Sequence, residues 1–125
     1  MKVYEGANIR NLAVVGHVHA GKTSLVSALL YTAGATQRLG RVDEGSTVTD
    51  YDEEEIARAM TLSSGVAYAE WGKTKINLID TPGFSMFVHE AKTCMVATEA
   101  ALVVVDGVAG VEVVTDRVWG FAEEL

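Results

Sequence analysis

The stretch Gly16-His17-Val18-His19-Ala20-Gly21-Lys22-Thr23 satisfies the pattern G-x-x-x-x-G-K-[ST] at all four of its fixed positions. At average composition, such a coincidence in a short chain has odds on the order of a few in a thousand. The flanks supply the setting the motif needs. Upstream, Ile9, Leu12, Ala13, Val14 and Val15 form a short, nearly continuous apolar run, the kind buried on both faces of a parallel sheet. Downstream, Leu25, Val26, Ala28, Leu29 and Leu30 recur at helical spacing, and Ala33-Gly34 supplies a stop. A strand, a glycine loop and a helix in that order make a phosphate cradle. Glycines let backbone N–H groups come close to a phosphate, and the helix N-terminus adds a favourable dipole. The candidate nucleotide-binding residues here are Gly16 through Thr23 together with Ser24. Lys22 is placed to reach outer phosphates and the Thr23 hydroxyl to ligate Mg²⁺. The plainer alternative is a Gly-Lys turn opening an ordinary helix.

Bulk properties narrow the function classes. A chain of 125 residues, 49% of them apolar, suits one domain with a small core and excludes disorder throughout. Its net charge of −7 argues against broad adhesion to nucleic acid or to an anionic membrane. The single Cys94 cannot form an internal disulfide, which fits a reducing compartment, and it reads as a small thiol packed on a helix. No segment is long enough to span a bilayer, and the opening Met1-Lys2-Val3-Tyr4-Glu5 lacks the apolar core of a secretory signal. The expectation is a cytoplasmic protein with no membrane partner.

From Ala35 to about Ser64 the hydrophobic period is lost, and glycine, serine, threonine and the acids Asp50, Asp52, Glu53, Glu54 and Glu55 dominate. So long a connection inside a compact domain is functional or disordered. Glu53 to Met60 could form a short helix, and the run Asp52–Glu55 reads as a solvated face in preference to a metal cluster. Val66–Trp71 is then a strand, Gly72-Lys73 a turn, and Lys75–Ile79 its antiparallel partner. Helices are expected over Met86–Thr98 and Val111–Glu123, with an apolar strand, Ala101–Val105, between them. Trp71 and Trp119 are expected to anchor packing.

This order predicts an α/β sandwich with a mostly parallel sheet. Ligands of such sheets bind beyond the carboxyl ends of the strands, which brings together Gly16–Thr23, Asp80–Phe84 and the segment after Val105. Asp80-Thr81-Pro82-Gly83 follows an apolar strand directly. An Asp there can hold Mg²⁺ opposite Thr23, commonly through a water, and Gly83 can offer an unobstructed backbone N–H to a terminal phosphate. The same four residues also favour an ordinary turn.

Together the glycine loop, Arg41-Val42-Asp43-Glu44-Gly45, the acidic segment through Glu55-Ile56-Ala57-Arg58, Asp80-Thr81-Pro82-Gly83-Phe84 and the run Val104–Glu112 resemble the N-terminal GTP-binding domain of translational GTPases. Elongation factor G and its paralogues, the ribosome-protection type included, are the best match. The resemblance implies a P-loop NTPase fold, a three-layer α/β sandwich whose mostly parallel sheet carries one antiparallel strand. It implies binding of GTP and GDP with Mg²⁺, action on the ribosome, and GTP hydrolysis by the full-length protein. Residues 1–125 then form the N-terminal part of the domain, and the segment 35–64 is the first switch. Thr61 falls where the family carries a threonine that caps Mg²⁺ and the γ-phosphate, so Thr23, Thr61 and Asp80 are the candidate metal residues. A loop held only by such contacts is released on hydrolysis.

Departures from the family pattern are equally specific. Phe84 stands where relatives place a histidine that positions the attacking water, so the catalytic residue is left unassigned. A non-hydrolysing, GTP-dependent interaction module is the alternative this opens. An ATP-using phosphotransferase sharing the glycine loop is a third. His19 replaces an aspartate, and Ala59-Met60 replaces Gly-Ile before the threonine. The expected Asn-Lys-x-Asp motif that reads guanine does not occur within the sequence, so guanine preference rests on the resemblance. The strand Ala101–Val105 is expected at an exposed sheet edge through which the chain self-associates.

Overall fold

The structure is a computed structural model that describes residues 2–125. Four strands make one sheet in the order β2-β3-β1-β4. In chain order β1 is Ile9–Gly16, β2 Gly65–Trp71, β3 Thr74–Asp80 and β4 Ala100–Val104. The helices are α1 Lys22–Thr32, α2 Glu53–Arg58, α3 Val88–Val96 and α4 Val113–Glu124. β1 pairs in parallel with β3 and with β4, and only the β2–β3 hairpin is antiparallel. This is the mixed sheet expected for a P-loop fold. Every expected element is present, with its ends shifted by a few residues. The helix expected from Met86 begins as a 3₁₀ turn, Ser85–Phe87, and becomes α-helical at Val88.

The pleat of β1 explains the three layers. Successive side chains point to opposite faces. Ala13 and Val15 therefore join Val88, Ala91, Met95, Val114 and Val118 beneath α3 and α4. Val14 faces the other way, among Val26, Leu30, Ala67, Ala69 and Leu78 beneath α1. Val14, Val15, Val26, Val114 and Val118 are completely buried. Each such side chain contributes about 1.5–3 kcal/mol relative to an exposed one. The hairpin turns on Gly72, whose φ of 60° sits at the first position of the two-residue loop.

Some expectations are corrected. The acidic run is not one solvated face. Asp52 caps α2 by accepting from the Glu54 amide at 2.9 Å, while Glu55 is 1% exposed. The two tryptophans do not anchor the core, since Trp71 is 61% and Trp119 58% exposed. Trp119 instead bonds Glu123 one turn along α4. Among the described residues no helix is long and apolar enough to cross a membrane.

Candidate nucleotide site

β1 ends at Gly16, whose backbone lies so close to the Val104 carbonyl that a Cβ would collide with it. The chain then curls through left-handed backbone at His19 (φ 62°) and Gly21 (φ 99°) before α1 starts. Such alternation builds concave nests of amides. The His17 imidazole moors the loop to α4: its Nδ1 accepts from the Val114 amide at 3.3 Å. Its Nε2, which therefore carries the proton, lies 3.7 Å from Glu112 Oε1.

Lys22 opens α1 with its side chain buried, and its Nζ donates to the His17 carbonyl at 2.9 Å. Burial lowers its pKa, while the carboxylates of Asp80 and Asp50 pull the other way. Gly83 packs directly on this loop. Its carbonyl accepts from the Val18 amide at 3.0 Å, and a Cβ at residue 83 would stand 2.6 Å from that nitrogen and collide with Lys22 Nζ.

The three candidate metal residues converge. Thr23 Oγ1 donates to Asp80 Oδ2 at 2.7 Å and lies 2.9 Å from Thr61 Oγ1. Two residues that sequence reasoning missed complete the cluster. Thr49 Oγ1 donates to Asp80 Oδ2 at 2.8 Å, and Thr61 Oγ1 donates to Asp50 Oδ1, also at 2.8 Å. Asp80 and Asp50 are 0% and 3% exposed. Desolvation raises both carboxyl pKa values against the lowering effect of their hydroxyl bonds. Asp80 Oδ1 and Asp50 Oδ2 are buried without a hydrogen-bond partner. Three hydroxyls and two carboxylates, each carboxylate with one orphaned oxygen, form the hard, all-oxygen donor set that Mg²⁺ accepts. The residues present therefore fit the ion.

A cavity of about 220 Å³ lies over this cluster, lined by Val18, His19, Lys22, Thr23, Ser24 and Phe84 among others. The Phe84 ring stands edge-on to His19, with centroids 6.3 Å apart. His89 lies on α3, exposed and against Phe121, as an ordinary helix residue.

The family described as "Elongation factor Tu GTP binding domain" matches residues 7–125. The chain belongs to that family. It is thus a GTP-binding domain of the elongation factor class. It is 43% identical over 116 residues to the "Ribosome-releasing factor 2, mitochondrial" of Scheffersomyces stipitis, covering 93% of this chain and 14% of that protein. The Drosophila virilis protein of the same name is 42% identical over 116 residues, with 93% of this chain and 16% of that protein covered. A solved structure from Thermus thermophilus superposes with a TM-score of 0.90 at 46% identity, covering 95% of this chain and 18% of that one. The chain thus spans about a seventh of the length of the curated relatives it matches. The resemblance to the GTP-binding domain of translational GTPases therefore holds over residues 7–125. The names of these relatives place those proteins in mitochondria, so a cytoplasmic site finds no support there.

Proposed function

We propose that this domain binds Mg²⁺ with GTP or GDP and acts as the nucleotide-dependent switch of a ribosome-directed factor. The observation that carries the reading is the convergence of Thr23, Thr61 and Asp80 beneath a cavity bordered by Lys22 and Gly83. The Gly16–Ser24 loop would wrap its amides around the phosphates, and the Lys22 ammonium, already desolvated, would lose little on meeting the outer ones. When bound, Mg²⁺ would neutralise phosphate charge, held by Thr23 and Thr61 with Asp80 and Asp50 beside them. Thr61 would then report whether the terminal phosphate is present. The segment 35–64 is the first switch in this reading, since it alone supplies Thr49, Asp50 and Thr61. A reducing compartment suits the half-buried thiol of Cys94, which bonds Ser64. β4, at the sheet edge, is the proposed surface for self-association of the isolated domain.

Hydrolysis is proposed for the full-length protein. Phe84 favours a second reading, a GTP-dependent interaction module with little turnover. It lines the cavity where a water-positioning group is needed and has neither donor nor acceptor. Lack of such a group costs about 10²–10⁴ in rate. Competition between guanine and adenine nucleotides, followed by ribosome-stimulated phosphate release from the full-length protein, tests both parts. Adenine nucleotides competing as well as guanine ones would overturn the first reading. Turnover at a rate ordinary for a ribosomal GTPase would remove the second.

A further inference from the structure

Thr61 reaches the phosphate site with the three residues after it clamped. Glu55, buried on α2, accepts from the amides of Leu62 at 2.9 Å and Ser63 at 3.0 Å. The next residue is gripped from a different element. The Ser64 amide donates to Glu90 Oε1 at 2.5 Å, and the Ser64 hydroxyl accepts from Cys94 Sγ at 3.2 Å. Glu90 and Cys94 are four residues apart and so share one face of α3. The helix itself is locked to the sheet through Val88, Ala91 and Met95, all buried. Its N-terminus is joined to Gly83 by only Phe84 and the 3₁₀ turn. Glu90 therefore connects the segment bearing Thr61 to the segment that runs over Lys22.

We propose that Glu90 is a positioning residue which, through the Ser64 amide, ties the placement of Thr61 to the segment following Gly83, so that the two arms of the phosphate site move together. This rests on the reading of the site as one for Mg²⁺ and guanine nucleotide. Contact of the terminal phosphate with Gly83 would then favour the Thr61 position that closes over the metal, and loss of that phosphate would release both. Glu55 cannot do this, because α2 belongs to the same loop as Thr61.

The test is the ratio of affinities for a non-hydrolysable GTP analogue and for GDP, each with Mg²⁺, measured on the chain and on variants at residue 90. Without the Glu90 carboxylate the part-buried Ser64 amide loses its acceptor. Glu90→Ala should weaken the analogue about tenfold, or ~1.4 kcal/mol, and leave GDP nearly unchanged. Glu90→Gln keeps the accepting oxygen and should restore a ratio close to wild type. Should Glu90→Ala not fold, Glu90→Met fills the same space without an acceptor and is read in the same way. Equal weakening for both nucleotides, an unshifted ratio, or a glutamine variant as impaired as the alanine one would overturn the coupling. A wild-type chain that binds neither nucleotide would instead overturn the reading of the site beneath it.

Discussion

Thr23 and Thr61, 38 positions apart in the chain, meet hydroxyl to hydroxyl at 2.9 Å. Each also donates to a buried aspartate, Thr23 to Asp80 and Thr61 to Asp50. The glycine loop and the end of the long polar segment thus come into contact through groups that would be costly to bury without their aspartate partners. A ligand able to satisfy the same oxygens can replace these bonds at little cost. That makes the cluster suitable for a site that is filled and emptied.

Thr61→Ala removes the hydroxyl that lies 2.9 Å from that of Thr23. GDP affinity should change little, while affinity for a GTP analogue falls about tenfold, a typical loss for a bond to a charged group. Parallel titrations with the two nucleotides check this; equal losses would place Thr61 in the general fold rather than in the switch.

Gly83→Ala should abolish nucleotide binding, because the added methyl meets both the Val18 nitrogen and Lys22 Nζ. The lysine end can swing aside, but the Val18 backbone cannot yield without opening the loop. Substitution at Gly21 is costly for a different reason, its φ of 99°. Wild-type GDP affinity in the Gly83 variant would show that the loop does not need this close approach.

The buried carboxylates give a pH dependence whose sign can be worked out. Burial raises the pKa of Asp50 and Asp80 above 3.8. Just above that value the folded chain retains protons that the unfolded chain has released. Their contribution to stability is thus full below 3.8 and is lost as pH rises through the raised folded values. Asp50→Asn keeps an oxygen for Thr61 and removes one of these charges. Its melting temperature without nucleotide, relative to wild type, should climb as pH rises from about 4 to about 7. A difference that stays flat or falls over that range would contradict the assignment.

The end of α2 carries a strain that can be removed. Ala59 adopts φ 50°, left-handed backbone that glycine accepts more readily. Left-handed backbone costs an L-residue about 1–2 kcal/mol, part of which glycine returns through its greater unfolded freedom. Ala59→Gly should therefore stabilise the chain by about 0.5–1 kcal/mol. Thermal melting checks the direction, and a lower midpoint would contradict it.

The fold was legible because central strands are written in uninterrupted apolar runs, such as Leu12–Val15 and Ala101–Val104, and α1 in apolar residues at helical spacing. The meeting of Gly16–Thr23 with Asp80–Gly83 followed from the rule that parallel strands present their carboxyl ends on one side. Asp50 and Glu55 were not legible. Both lie in a run of acids in which charge alone argues for water, and their burial is decided by distant partners, Thr61 for one and the amides of Leu62 and Ser63 for the other. The one local sign was the density of threonine around them, Thr47, Thr49 and Thr61, all buried. The exposure of Trp71 and Trp119 was hidden for a similar reason, since an aromatic at an edge or on an outer helix face looks the same in sequence as one in a core.

The central claim is that the Gly16–Thr23 loop encloses the phosphates of a guanine nucleotide with Lys22 against them. Equilibrium titration of GDP with Mg²⁺ against the wild-type chain and its Lys22→Ala variant tests it most directly. Wild-type chain should bind, and the variant should bind at least about a hundredfold more weakly, as expected when a buried cation facing phosphate is lost. Equal affinities in two folded proteins would contradict the account.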